Sequence, residues 1–362
     1  MSDISQPQSF VIAPDIFPAS AQKPAPDFSF LANAAFADAR WNIGGIFLYD
    51  SAVRAACDFL LGSVPAIRIE SLSGAPPCLW TLEWFSARKL VPPAEIFSRL
   101  REIAKLPPQF VLQLDNPFVR AEDAEDLVGD SLLQICSELP QMHVSVASET
   151  LAEKIRAAFP KAQLHAGANK AVAENARGNV DYYRVAAEKF FRVALHPEDA
   201  YDKAFLEKLA NVLPPEKFEI VANDSCLRAC PLRREHLAAL AKIRLAPWDA
   251  RPLQERHALL AKAGCEEVSN TPSRDPARCA ALLSHSELAH AYGLGFRHFR
   301  IQAETLRSEI AFLYEIVHFL LTNDPEFWEK KAFVATELAS NVREPVPIVK
   351  TGISAFSMRK YD

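Results

Sequence analysis

Glycine is scarce in this chain, at 11 of 362 residues, whereas proline is plentiful at 26. We therefore expect turns to be set largely by proline, which fixes one backbone angle in advance. The chain also lacks a G-x-G-x-x-G turn and a Walker-type phosphate loop. These absences remove the usual sequence signals of a dinucleotide site and of a nucleoside triphosphate site.

An excess of positive charge is also missing. The 40 Lys and Arg residues are outnumbered by 45 Asp and Glu residues, which gives a formal net charge of −5. A general nucleic-acid binder normally carries a basic face, so the sequence holds no strong nucleic-acid signal.

Long apolar runs are absent as well. The most apolar helical stretch, residues 310–321, is interrupted by Glu315 and His318, and a membrane span needs roughly 20 apolar residues. The N-terminus does not show the basic and then apolar order of a secretory signal. We therefore expect a cytoplasmic protein with no membrane span, whose seven cysteines stay reduced.

Apolar, strand-like runs alternate with amphipathic helical stretches from residue 44 onward. The runs cover residues 45–50, 66–70, 110–115, 143–148, 163–169, 191–196, 218–222 and 297–302. This alternation predicts crossover units and a parallel sheet. Eight units in roughly 290 residues fit an α/β fold of the (β/α)8 TIM-barrel type. A doubly wound open sheet is the rival fold, but it commonly has fewer strands.

The pattern also predicts how the chain is divided. Residues 1–40 form an irregular, proline-rich leader, and residues 41–323 form the barrel. Residues 224–296 are a cysteine-bearing insertion between strands seven and eight, because that connection is far longer than usual. Residues 324–362 form an irregular C-terminal extension that wraps the outside of the barrel.

Four of the seven cysteines lie in this predicted insertion: Cys226, Cys230, Cys265 and Cys279. The first two are one helical turn apart, directly after strand seven, where barrels carry their sites. Thiolates gathered from about four positions bind iron–sulfur clusters or zinc. The sequence therefore predicts that these cysteines ligate an iron–sulfur cluster, with zinc as the alternative. Incidental buried thiols are the competing interpretation.

Polar residues follow the predicted strands and would meet at one rim of a barrel. They are Asp50, Glu70, Asp115, Asn116, Ser148, Asn169, His196, Asn223, Asp224, Cys226 and Gln302. Helix capping is the alternative role, and Ser148 and Asp50 fit it well.

The candidate catalytic residues are Asp224, His196 and His236. Either histidine would serve as the base for a cysteine nucleophile whose thiolate is favoured by a helix N-terminus and nearby arginines. Those arginines are Arg228, Arg233 and Arg234. They would also suit a carboxylate or phosphate, and a solvated helix face is the alternative.

Three stretches resemble the barrel domain of the collagenase-like peptidase family. They are residues 110–116, residues 219–226 with Cys230-Pro231 and His236, and residues 284–289 with 292–301. Some members of that wider family hold a cysteine-bound 4Fe–4S cluster and act in hydroxylation of RNA bases or quinones, and others are called peptidases. The resemblance implies that Cys226 and Cys230 are cluster ligands and that Cys265 and Cys279 complete the set.

Three functional hypotheses follow. The first is an iron–sulfur-binding barrel protein of a redox or hydroxylation type, acting on a small molecule or a modified base. The second is a thiol- or metal-dependent, peptidase-like hydrolase. The third is a non-catalytic binding barrel that serves as a protein partner subunit of another enzyme.

Overall fold

A closed barrel of eight parallel strands, surrounded by helices, forms the centre of the molecule. The predicted TIM-type α/β barrel is thereby confirmed. The computed structural model describes residues 28–33, 36–64, 66–76, 78–82, 93–224, 226, 228–245, 254–255, 281–303 and 309–340.

The strands are β1 (Arg40–Ile43), β2 (Arg68–Gly74), β3 (Gln109–Leu114), β4 (His143–Val146), β5 (Gln163–Ala166), β6 (Arg192–Ala194), β7 (Phe218–Val221), β8 (Asn223–Asp224), β9 (Ala281–Leu282) and β10 (His298–Ile301). Strands β1 to β7 pair in chain order, and β10 closes the ring between β7 and β1. Strands β8 and β9 form a separate antiparallel ribbon. Seven of the eight barrel strands therefore lie within or overlap the predicted runs.

The helices are α1 (Asp50–Ser63), α2 (Pro93–Ile103), α3 (Leu127–Ser137), α4 (Glu149–Ala158), α5 (Ala168–Ala173), α6 (Val180–Lys189), α7 (Lys203–Val212), α8 (Arg233–Leu245), α9 (His285–Gly293), α10 (Glu309–Leu320) and α11 (Trp328–Ser340). Ser148 caps α4 by accepting the backbone N–H of Leu151, as predicted. Asp50 is instead the first residue of α1 and binds Arg54 at 2.7 Å.

The outward side chains of the strands form an apolar shell under the helices. Trp41 on β1 packs against Phe299 on β10 and Phe319 on α10, with ring centroids 5.4 and 6.4 Å apart. Both Ile43 and Ile301 are fully buried. Because side chains alternate along a strand, the residues between these point into the barrel.

The interior of the barrel is polar and charged. Arg300 on β10 donates to Gln113 on β3, and Asn42 on β1 donates to Glu219 on β7 at 3.1 Å. Neither pair of strands is adjacent in the ring, so both hydrogen bonds cross the lumen. Such interiors are more often filled by branched apolar residues.

A second charged layer lies nearer the amino ends of the strands. The carboxylate of Glu70 on β2 accepts hydrogen bonds from Arg192 at 2.8 Å and from His298 at 2.9 Å. Burial alone would raise the pKa of Glu70, but the hydrogen bond from His298 and the charge of Arg192 outweigh it and hold the pKa at about 2. The carboxylate therefore stays ionised inside the barrel.

The predicted first strand, residues 45–50, is wrong. The barrel strand lies earlier, at Arg40–Ile43, and the chain turns at Gly45 with φ +76°. A Cβ at Gly45 would also collide with Ala303. The apolar run still packs on the core, since Ile46 is fully buried, but it does so as a turn leading into α1.

The predicted irregular C-terminal extension is also wrong over its described part. Helix α11 forms there because Val334, Ala335 and Leu338 present a buried face to α1 and α10. At the other end, Leu31 is fully buried and Ala32 bridges Leu321, so the end of the predicted leader packs on the body.

Within the described part of the chain, no helix is both long enough and apolar enough to pass through a bilayer.

Replacing Glu70 with Gln tests the inner charge layer. The folded pKa of about 2 lies below the ordinary value of 4.5, so the stabilisation is complete above about pH 4.5 and is lost as pH falls towards 2. We expect Glu70→Gln to lower the free energy of unfolding at pH 7 by about 2 kcal/mol, a value reduced for partial exposure. Urea denaturation at several pH values measures it. The exposed Glu122→Gln is the control, and a difference undiminished at pH 3 would contradict the assignment.

Two glycines test the packing between helix and loop. A Cβ at Gly129 on α3 would collide with the buried indole of Trp80, whereas one at Gly62 on α1 meets nothing within 4 Å. We expect Gly129→Ala to destabilise the fold by about 1–3 kcal/mol. The matched Gly62→Ala should instead stabilise it by about 0.5–1 kcal/mol through helix propensity. Thermal unfolding of both variants measures these changes in stability. Equal changes for Gly129→Ala and Gly62→Ala would contradict the packing of Gly129 against Trp80.

Candidate functional site

The ribbon of β8 and β9 stands at the carboxyl end of the barrel. Strand β8 follows β7 after one residue, and its register pairs Asn223 with Leu282 and Asp224 with Ala281. The side chain of Asn223 binds the backbone of Gln302 through two hydrogen bonds of 2.8 and 2.7 Å. These bonds fasten the ribbon to the chain leaving β10.

A tight turn after the ribbon carries the first two predicted cysteine ligands. The backbone N–H of Cys226 donates to Asp224 at 3.4 Å, and that of Ala229 donates to the Tyr201 hydroxyl at 3.1 Å. Ala229 has φ 55°, a conformation that is unfavourable for a residue with a side chain. Contacts from outside the turn must therefore hold it in this shape.

The turn brings Cys226 and Cys230 together. Both are free, half-buried thiols, and Cys230 lies close enough to Cys226 to raise the pKa of its thiol. Burial raises the pKa of Cys226 strongly. The charge of Arg233 opposes this rise, while Asp224 and Cys230 add to it. A free thiolate is therefore disfavoured here, contrary to the expectation from the neighbouring arginines.

Four charged side chains form a row beside the thiols. Arg233, the first residue of α8, is buried and makes an ion pair with Asp224, and its Nε lies 3.8 Å from Glu198 Oε1. Glu198 Oε2 lies 2.7 Å from Arg177. Each charge in the row thus has a neighbour of opposite sign, which offsets the cost of burying it.

The other two arginines are also engaged by the protein. Arg228 binds Glu287 through two hydrogen bonds of 2.8 Å and lies over the Tyr201 ring at 4.5 Å. Arg234 donates to the Ala173 carbonyl at 2.9 Å. Arg228 therefore ties the cysteine-bearing turn to α9.

Helix α8 packs against α5. Its Leu237 and Ala241 join Leu82 and Val172 in a small apolar cluster separate from the main core. Leu82 follows β2 and Val172 follows β5, so α8 lies on loops at the carboxyl end of the barrel.

His196 follows β6, and its ring is neutral at pH 7. Burial lowers its pKa to about 4, and the charges of Arg233 and Arg177 add to this. Its Nδ1 accepts the backbone N–H of Glu198 at 3.1 Å, which leaves the proton on Nε2. His196 and Asp224 both interact with Arg233, so the structure gathers two of the predicted catalytic residues around this arginine.

His236, the third candidate, lies in the first turn of α8, three residues beyond Arg233, and is half-buried. The catalytic roles of Asp224, His196 and His236 stay predictions.

Sequence reasoning missed a buried acid next to this site. The Asp199 carboxylate accepts hydrogen bonds from the Tyr183 hydroxyl at 2.7 Å and from the Gly178 backbone N–H at 2.8 Å. Burial raises the pKa of Asp199 to about 6. The Tyr183 hydroxyl in turn accepts the backbone N–H of His196 at 2.8 Å. The signal that was available is the position of Asp199 three residues after the strand-end residue His196.

The charged barrel interior was missed as well. Polar residues at alternate positions within the runs gave a signal, as in His298 and Arg300 on either side of Phe299. A period of two in a parallel strand indicates two different environments for its two faces.

The other strand-end residues hold loops. Asp115 accepts the backbone N–H of Leu82 at 2.8 Å, and Asn169 donates to the Asp115 carbonyl at 3.1 Å. Asn116 donates to the Leu79 carbonyl at 3.0 Å. Their role in the structure is to position the chain after β2.

Of the four predicted cysteine ligands, the structure describes Cys226 and Cys230. Cys265 and Cys279 lie outside the described residues, as does the greater part of the predicted insertion. Among the residues that are described, no group of three or more His, Cys, Asp or Glu side chains is arranged to hold a metal ion. Cys57 and Cys136 are buried in the core, as predicted from their helix faces.

A scan against protein-family models found no match, and a search of the curated proteins found none either.

Replacing Arg233 with Met tests the row of charges. Asp224 and Glu198 would stay buried without this partner, so we expect a loss of about 3 kcal/mol of folding free energy. The pKa of His196 should rise from about 4 but stay below its ordinary value, because burial, the largest cause, remains. NMR titration of the imidazole measures this rise. The exposed Arg234→Met is the control, and an unchanged His196 pKa in Arg233→Met would contradict the arrangement.

Proposed function

We propose that this chain is an iron–sulfur-binding barrel protein of a redox or hydroxylation type. The observation that carries the proposal is the proximity of Cys226 and Cys230, whose thiols interact electrostatically at the carboxyl end of the barrel. Iron–sulfur clusters are held by cysteine thiolates, and a bound cluster supplies one-electron transfer.

The ribbon supports Cys279 as a third ligand. Cys226 lies two residues beyond Asp224, and Cys279 lies two residues before Ala281. Asp224 and Ala281 are register partners in the ribbon. Two residues of extended chain span at most about 7 Å. This chain length allows Cys279 to approach the two thiols.

Cys265 completes the proposed set, as the resemblance to the collagenase-like peptidase family implies. The same resemblance supports a small molecule or a modified base as the substrate. Residues 224–296 are then an insertion that supplies all four ligands. Zinc is the alternative metal, because four thiolates also form a structural zinc site.

The residues around the thiols suit this role. The charge of Arg233 favours the thiolate form of Cys226, which lies in its field. Asp224 accepts a hydrogen bond from the backbone N–H of Cys226. Its ion pair with Arg233 also fixes the start of the turn. The neutral ring of His196 keeps its proton on Nε2, where it can donate a hydrogen bond.

The geometry gives less support to a cysteine hydrolase. A nucleophilic cysteine needs a lowered pKa or an adjacent base. Burial raises the pKa of Cys226, and the pKa of His196 of about 4 makes it a weak base.

Anaerobic purification with iron and sulfide analysis tests the proposal. We expect about four irons and four sulfides per chain and a visible absorption band. Cys226→Ala, Cys230→Ala and Cys279→Ala should each lose them. The matched controls Cys57→Ala and Cys136→Ala replace buried core thiols and should keep the cluster.

The proposal would be contradicted by a colourless, iron-free protein in which all four proposed ligand cysteines react with an alkylating reagent. One equivalent of zinc in place of iron would select the alternative metal. Retention of iron in Cys279→Ala, with loss in Cys226→Ala, would contradict the assignment of Cys279 alone.

A further inference from the structure

A groove lies at the amino ends of β1 and β2, at the opposite end of the barrel from the cysteines. The end of α10 and the chain segment before β1 form its other walls, and its volume is about 250 Å³. Pockets for drug-sized ligands usually measure roughly 300–1,000 Å³. This groove therefore suits a molecule with a smaller apolar body.

The walls of the groove are largely apolar. Trp41 on β1 and Phe319 on α10 line it, with ring centroids 6.4 Å apart, together with Phe36 and Ile67. Among the described residues that line the groove, Arg68 is the one with a charged side chain. An apolar groove bordered by a single cation matches a ligand with an apolar body and one negative charge.

Arg68, the first residue of β2, is exposed and has neither a hydrogen bond nor an ion pair within the described part of the chain. Its register partner on β1 is another arginine, Arg40, and the two positive charges repel each other. The carboxylate of Glu70, on the same strand, already interacts with Arg40 at 3.6 Å, with Arg192 and with His298. A bound anion would therefore supply the opposite charge that Arg68 lacks.

The end of α10 beside the groove is also compensated. The carbonyl end of a helix carries partial negative charge, which would repel an anion. The buried ammonium of Lys331 on α11 donates to the His318 carbonyl at 3.4 Å and to the Thr322 carbonyl at 3.2 Å. This positive charge offsets the negative end of α10, so the helix does not oppose an anion in the groove.

We propose that this groove binds an amphipathic monocarboxylate, whose apolar chain lies beside Trp41 and Phe319 and whose carboxylate pairs with Arg68. The exposed side chain of Arg68 can turn towards a ligand without breaking a contact in the described chain. A guanidinium binds a carboxylate through two parallel N–H···O hydrogen bonds. The site is independent of the proposed cluster.

Calorimetric titration of the full-length protein with octanoate, 1-octanol and acetate at pH 7 tests the proposal. We expect one equivalent of octanoate to bind about tenfold more tightly than 1-octanol, which has the same chain without the charge. Acetate has the charge without the chain, so it should show no saturable binding at the same concentrations. Cys226→Ala, which removes a proposed cluster ligand, should leave these results unchanged.

Two variants test whether the binding occurs in this groove. Arg68→Met keeps the apolar stem of the side chain and should abolish the preference for octanoate over 1-octanol. The matched control Arg101→Met replaces another exposed arginine, on α2, and should keep that preference. Ala66→Leu fills the groove from an exposed position before β2 and should weaken binding of both octanoate and 1-octanol.

The proposal is overturned if octanoate shows no saturable binding or if 1-octanol binds as tightly. It is also overturned if Arg68→Met keeps the preference for octanoate, or if Ala66→Leu binds octanoate like the wild type.

Discussion

Charges paired inside a closed ring of strands are the constraint on which this barrel depends. Glu70 is held by Arg192 and His298, and Glu219 by Asn42 and Arg300. Removing one partner of a buried ion pair costs about 3–5 kcal/mol, because it leaves an uncompensated charge. These side chains come from strands on several sides of the ring, so each pair fixes the position of one strand relative to another. The polar interior therefore specifies the barrel as well as filling it.

The eight-unit architecture could be predicted from the sequence because local pattern carries it. Apolar runs and amphipathic helices alternate along the chain, and each unit is recognisable without knowledge of the others. The first strand could not be placed in this way. Residues 45–50 are as apolar as a strand, and what excludes them is the turn at Gly45, packed against Ala303 far along the chain. Helix α11 likewise owes its stability to contacts with α1 and α10.

The candidate site shows the same division. The spacing of Cys226 and Cys230 after an apolar run indicated where to look, and the structure keeps the two thiols close enough to interact electrostatically. The ion pair of Asp224 with Arg233 could not be predicted, because it depends on how α8 returns over the barrel. The raised pKa of Asp199 has the same origin, since burial by tertiary packing causes it.

The β8–β9 ribbon has a consequence for how the protein can vary. It brings the two ends of a long segment side by side. The pairing of β8 with β9 therefore offsets the entropy cost of closing that loop, and the pairing of the barrel strands does not have to. This entropy rises only slowly with length, by about 0.6 kcal/mol for each doubling. The chain between α8 and β9 can therefore gain or lose residues while β7 and β10 keep their register.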